Sequence, residues 1–248
     1  MVMQWRQWLS VFPPFQAGLF EVMKTLLAVK GLENTTRPFR AKLVQIAEEL
    51  GLIPSYIAAV ISLETAGTFR SDIYNFAGSG AVGLIQFMPD KLLSNGKIRK
   101  GSASILGTSI AKLAKMTATQ QLTYVGLYYK KIGPSRIVNP LDYYMAVFSP
   151  AFIGSDYDTP MYKSPTKRYE QNKGFDDDQD GVITVGNVAH DFLGVITRAE
   201  ARPRIAVDPD DAPSSRGTFG ALSVGLIAIS IYGLSKLSYA THHKKVAG

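Results

Sequence analysis

PSYIAAVISLETAGTF (residues 54–69) and NFAGSGAVGLIQFMP (residues 75–89) are the two stretches that decide the fold of this chain. In the first, Ile57, Val60 and Ile61 recur at helical spacing, and Glu64 falls on the same stripe. Pro54 suits a first helical turn, and the helix is expected to end before Gly67. A carboxylate on a buried face is costly unless it is protonated or paired, and desolvation raises its pKa. An acid that keeps its proton near neutral pH can protonate a glycosidic oxygen. On spacing alone, a helix-end glutamate turned to solvent is the commoner arrangement.

The second stretch changes that balance. Glu64-Thr65 followed about twenty residues later by Gly83-Leu84-Ile85-Gln86 resembles the paired signature of the lytic transglycosylase and goose-type lysozyme superfamily. The resemblance implies a lysozyme-like domain acting on peptidoglycan glycan strands, with Glu64 as the catalytic acid and no cofactor for catalysis. It also implies that Gly78, Gly80 and Gly83 let the backbone approach a sugar ring, and that Gln86 bonds an N-acetyl group or the glutamate. Where the family carries Ala-Tyr-Asn this chain reads Met145-Ala146-Val147-Phe148, so that contact is replaced. A closing tyrosine of the family corresponds to Tyr169, with Tyr143, Tyr144 and Tyr162 as alternatives. Hydrolysis needs a second carboxylate across the bond. Asp72 is the nearest in sequence and nothing places it there. The family's one-glutamate route, which yields a 1,6-anhydro product, is therefore expected over a muramidase. A non-enzymatic glycan-binding or structural protein of the same fold is the competing class.

DDDQDGVITVGN (residues 176–187) has the pattern of an EF-hand loop. Asp176, Asp178 and Asp180 stand at positions one, three and five, Gly181 at the turn, Val182 offers a carbonyl, and Thr184 is at nine. Asn187 replaces the bidentate glutamate at twelve, which lowers the charge of the site. A structural calcium ion is expected here, a staple rather than a sensor.

Around these motifs, helices are expected over residues 38–50, 119–132 and 142–148. With no sustained alternation of apolar and polar residues, the class is mainly α. The net charge of +7 includes Lys236, Lys244 and Lys245 at the C-terminal end, leaving +4 over residues 1–217. That suits an acidic polymer or a membrane surface and is too weak to argue for nucleic acid. There is no cysteine, hence no disulfide or thiolate metal site. The expected organisation is an apolar, aromatic N-terminal segment (1–32), a lysozyme-like domain (33–200), a flexible linker (201–217), a single transmembrane helix (218–240) and a basic tail (241–248). The uncharged run is about the length needed to span a bilayer, and its Lys-rich flank orients it. A muralytic domain anchored in this way suits a bacteriophage virion membrane, with other virion proteins as partners. A bacterial inner membrane with the domain in the periplasm is the alternative.

Overall fold

Thr36 opens the first helix, α1 (Arg37–Leu50), its hydroxyl accepting from the Phe39 amide at 3.2 Å. Gly51 closes it in the left-handed conformation, a cap that residues with a Cβ rarely adopt. Ile53 and Pro54 then turn the chain into α2 (Pro54–Glu64), and the Tyr143 hydroxyl accepts from the Ile53 amide at 2.8 Å. The computed structural model describes residues 25–213. Most of the aromatic N-terminal segment, the uncharged C-terminal run and the basic tail lie outside the described residues, and so does the membrane helix expected at 218–240.

The rest of the order is helical with short strand pairs. After α2 come β2 (Lys91–Leu92), β3 (Ile98–Arg99), α3 (Ser102–Ile105), α4 (Ile110–Ala114), α5 (Ala118–Ile132) and α6 (Pro140–Phe148). Beyond them lie β4 (Pro160–Lys163), α7 (Lys167–Asn172), β5 (Val182–Thr184) and α8 (Val185–Glu200). The class is mainly α. Among the described residues no helix is long and apolar enough to cross a membrane. Capping boxes fix the long helices: Thr117 with Gln120 for α5, Asn139 with Asp142 for α6, and Thr184 with Asn187 for α8.

Helix α2 is the centre. Its residues from Ile57 to Ser62 are all buried, so it exposes no polar face along that length, unlike the one-sided stripe of a surface helix. Helices α1, α6 and α8 pack around it, and α5 packs on α1. The α1–α5 approach depends on Gly126, where an added Cβ would lie 2.7 Å from Ile46 Cγ2.

A two-stranded sheet closes the fold. β1 (Thr25–Leu26) pairs antiparallel with β6 (Ile205–Ala206), in the register Thr25 to Ala206 and Leu26 to Ile205. Leu27 N donates to Ser55 Oγ at 3.0 Å, and Ser62 Oγ donates to the Lys30 carbonyl at 2.8 Å, so this edge is stitched to α2. The domain thus begins by Thr25. The segment expected as a linker from residue 201 lies on it as far as residue 213, because Val207 is buried and the Pro209–Asp211 turn packs on α1.

Gly126→Val should remove the close approach of α5 to α1. Overpacking of this kind destabilises by about 1–3 kcal/mol, read as a lowered midpoint in thermal or denaturant unfolding. Adding Ile46→Ala should recover part of that loss; equal midpoints for Gly126→Val and the native chain would contradict the packing described.

Candidate active site

Glu64 is the last residue of α2, and the residues after it hold the helix end rigid. The Thr65 side chain is fully buried, donating from its hydroxyl to the Ile61 carbonyl at 2.6 Å and accepting from the Phe69 amide at 3.0 Å. Ala66 and Phe69 both take positive φ, 51° and 53°. Such residues cost on the order of 1–3 kcal/mol each and collect at functional sites. The Phe69 ring is held edge-on to Phe39, with centroids 5.8 Å apart.

The Glu64 side chain keeps one edge open to solvent, yet its carboxylate is enclosed by protein. Burial pushes its pKa from 4.5 to about 7, with no neighbouring charge contributing. Among the described residues it makes no hydrogen bond or ion pair. Asp72 is engaged in an exposed two-pronged pair with Arg70, both bonds 2.9 Å, which lowers its pKa.

Three tyrosines surround the carboxylate electrostatically. Burial raises the pKa of Tyr128 to about 12 and lifts those of Tyr129 and Tyr144 well above the usual tyrosine value, and in each the charge of Glu64 adds to the rise. Tyr128 and Tyr129 spend their hydroxyls on the Ala146 and Tyr143 carbonyls at 2.8 and 3.0 Å. Tyr144 is stacked between Phe148 and Phe192, with centroids 5.5 and 5.3 Å away. Tyr169 bonds the acidic loop: its hydroxyl donates to Asp176 Oδ2 at 2.6 Å, and Glu64 is not among the causes of its raised pKa. Of Tyr143, Tyr144 and Tyr169, whose pKa values are all raised, Tyr144 is the one to which Glu64 contributes.

The 83–86 turn is built on a side chain that no sequence motif marks. Gln121, on α5 and fully buried, accepts from the Leu84 amide at 2.7 Å and donates to the Ser71 and Leu113 carbonyls at 2.9 and 3.0 Å. Gly83 has φ 81°, and a Cβ there would lie 2.2 Å from Gln121 Oε1. The glycine is needed for this packing as well as for any ligand. Gln86, at φ 49°, donates to the Gly83 carbonyl at 3.1 Å, and its buried Oε1 has no partner. Buried polar atoms are nearly always satisfied, and this oxygen departs from that rule. Gly78 has open space where a Cβ would be.

A second cluster lies in the acidic loop. Carboxylate oxygens of Asp176, Asp178 and Asp180 lie within 4.8 Å of one another. Asp176 is buried; its Oδ2 accepts from Tyr169 and from the Gly181 amide, which lowers its pKa, while Oδ1 is buried without a partner. Val182 donates its amide to Asp180 Oδ1 at 2.7 Å. Thr184 and Asn187 are engaged with each other, the Asn187 amide oxygen accepting from both the Thr184 amide and hydroxyl at 2.7 Å. The loop's final oxygen is thus committed to capping α8.

The raised pKa of Glu64 has a stability consequence. The native state binds a proton more tightly than the unfolded chain, so its contribution is full below pH 4.5 and is lost as pH rises to about 7. The full swing is about 3 kcal/mol. Glu64→Gln should therefore raise the unfolding midpoint at pH 8 and leave it nearly unchanged at pH 4; an equal effect at both would remove the case for a desolvated carboxylate. Compared with family models, curated proteins and solved structures, the chain matches none.

Proposed function

We propose that this protein is a peptidoglycan lytic transglycosylase with a lysozyme-like domain, cleaving the MurNAc–GlcNAc bond. The observation that carries this reading is the desolvated Glu64 with a pKa of about 7, which no second carboxylate among the described residues perturbs. Protonated Glu64 gives its proton to the glycosidic oxygen as the bond from C1 of the muramic acid breaks. The carboxylate then takes the proton of the C6 hydroxyl, and O6 bonds to C1 as the 1,6-anhydro ring closes. Glu64 ends protonated, and no water is consumed. A pKa near the working pH suits one residue to both tasks. The Gln86 carboxamide, whose buried Oε1 has no partner within the fold, would have to turn outward to accept a substrate N–H or O–H. Gly78 leaves room for a ring at the loop, and Tyr144 faces the field of Glu64.

The acidic loop fits a structural calcium ion of the EF-hand type. Three clustered carboxylates and the orphaned Asp176 Oδ1 supply hard oxygen donors. Asp176, Asp178 and Asp180 would hold the ion with the Val182 carbonyl. Thr184 and Asn187 would contribute only by leaving their mutual bonds. The segment 218–240, outside the described residues and without charge as far as Ser235, would serve as a membrane anchor, in keeping with a virion membrane protein that opens the cell wall locally.

Incubating peptidoglycan with the native chain and with Glu64→Gln, and weighing the products, tests the activity. Anhydro-muropeptides released by the native chain and lost in the variant are expected, with the native rate falling as pH rises above about 7. Reducing ends would point to hydrolysis, and no products from the native chain would end the enzyme reading in favour of a glycan-binding role. For the loop, chelation should lower the unfolding midpoint and added calcium restore it, by about 2.7 kcal/mol at a hundredfold excess over Kd. Asp178→Asn should blunt that response, and a midpoint indifferent to chelator would exclude a structural ion.

A further inference from the structure

The hairpin of β2 and β3 adds nothing to the core. A turn with Gly96 at φ 74° joins its strands: Leu93 N donates to the Lys97 carbonyl at 2.8 Å, and Asn95 Oδ1 accepts from the Lys97 amide at 3.1 Å. The register pairs Lys91 with Arg99 and Leu92 with Ile98. Directly opposite residues share a face, and successive residues alternate faces. The ribbon therefore has an aliphatic side, Leu92 and Ile98, and a cationic side, Lys91 and Arg99. Both sides stand in solvent: Leu92 is 70% exposed and Ile98 60%. Met88 and Ile105, 40% and 49% exposed, belong to the segments holding the hairpin's base, where the Met88 amide donates to Ser102 Oγ at 2.8 Å.

The sequence from the hairpin onward is one-sided in charge. Residues 91–141 contain nine Lys and Arg and no Asp or Glu, leaving 18 cations against 20 acids in the rest of the chain. Lys100 is paired with Asp90 at 3.0 Å. Lys91, Lys97 and Arg99 have no acidic partner among the described residues.

We infer that this hairpin docks on an anionic lipid bilayer, with Leu92 and Ile98 entering the acyl boundary and Lys91, Lys97 and Arg99 reaching the lipid phosphates. An acidic polymer would satisfy the cations alone and leave the paired aliphatics in water. A bilayer interface satisfies both, since long basic side chains extend to headgroups while the apolar side is buried. This surface is independent of the chemistry at Glu64.

The absence of native cysteine makes the test direct. Full-length protein carrying Leu92→Cys or Ile98→Cys, labelled with an environment-sensitive fluorophore, is mixed with vesicles of phosphatidylcholine alone or with added phosphatidylglycerol. Emission from either label should shift to the blue only with phosphatidylglycerol, and the shift should fade with salt. A label at Thr197→Cys, exposed on α8, should stay aqueous. Replacing Lys91, Lys97 and Arg99 with Gln in the labelled chain should weaken docking by about fivefold per cation. Emission that stays aqueous with both vesicles, or shifts equally in both, would overturn the inference. So would a shift produced by a soluble phosphate-rich wall polymer and not by vesicles.

Discussion

One carboxamide holds the candidate site together. Gln121 sits beneath the 83–86 turn with all of its surface removed from solvent, and it bonds three segments at once, at Leu84, Ser71 and Leu113. Each bond is worth about 1 kcal/mol net when made, and each group left unmatched in the interior costs about 1–3 kcal/mol. The turn is thus kept in place less by the strength of these bonds than by the penalty for breaking them. Gly83 is the other half of this arrangement, because a side chain there would occupy the space of the Gln121 amide.

The helix bearing Glu64 is constrained with the same economy. Its central residues are buried on every side, the buried hydroxyl of Thr65 locks its end, and two left-handed residues turn the chain away. The carboxylate is therefore set at the boundary between core and solvent. Desolvation rather than a partner charge raises its pKa, so the property belongs to the architecture as a whole. Aromatic rings complete the wall: Tyr144 is fixed by Phe192 from α8, and α8 begins at the end of the acidic loop. One helix and one ring stack thus lie between that loop and the tyrosine whose pKa Glu64 helps to raise.

Much of this was legible from the residues. The helices predicted over 38–50 and 119–132 match α1 and α5 to within a residue, because proline, threonine caps and glycine stops mark both ends. The position of Glu64 at the end of α2 has the same local signals behind it. What sequence could not supply was long-range. Gln121 is one of two adjacent glutamines, and nothing local distinguishes the capping Gln120 from its buried neighbour. The pairing of Tyr169 with Asp176 also depends on tertiary placement. Two omissions did have local signals. Asn95-Gly96 between apolar residues is a hairpin signature, and the spacing of Val185, Val188, Ala189, Phe192 and Ile196 marks the buried face of α8.

The β1–β6 pair has a consequence for how the molecule comes into being. It joins residues some 180 positions apart, Thr25 and Ala206, and such contacts form late because the intervening chain must first be ordered. Synthesis runs from the N-terminus, so the strand that completes the sheet is nearly the last part of the domain to leave the ribosome. Until then Leu26, fully buried in the finished fold, lacks its partner strand, and the edge stitched to α2 through Ser55 stays open. A nascent or prematurely terminated chain ending before Ile205 therefore lacks the closure that fixes the back of the Glu64 helix. Its framework is completed only when almost the whole domain has been made.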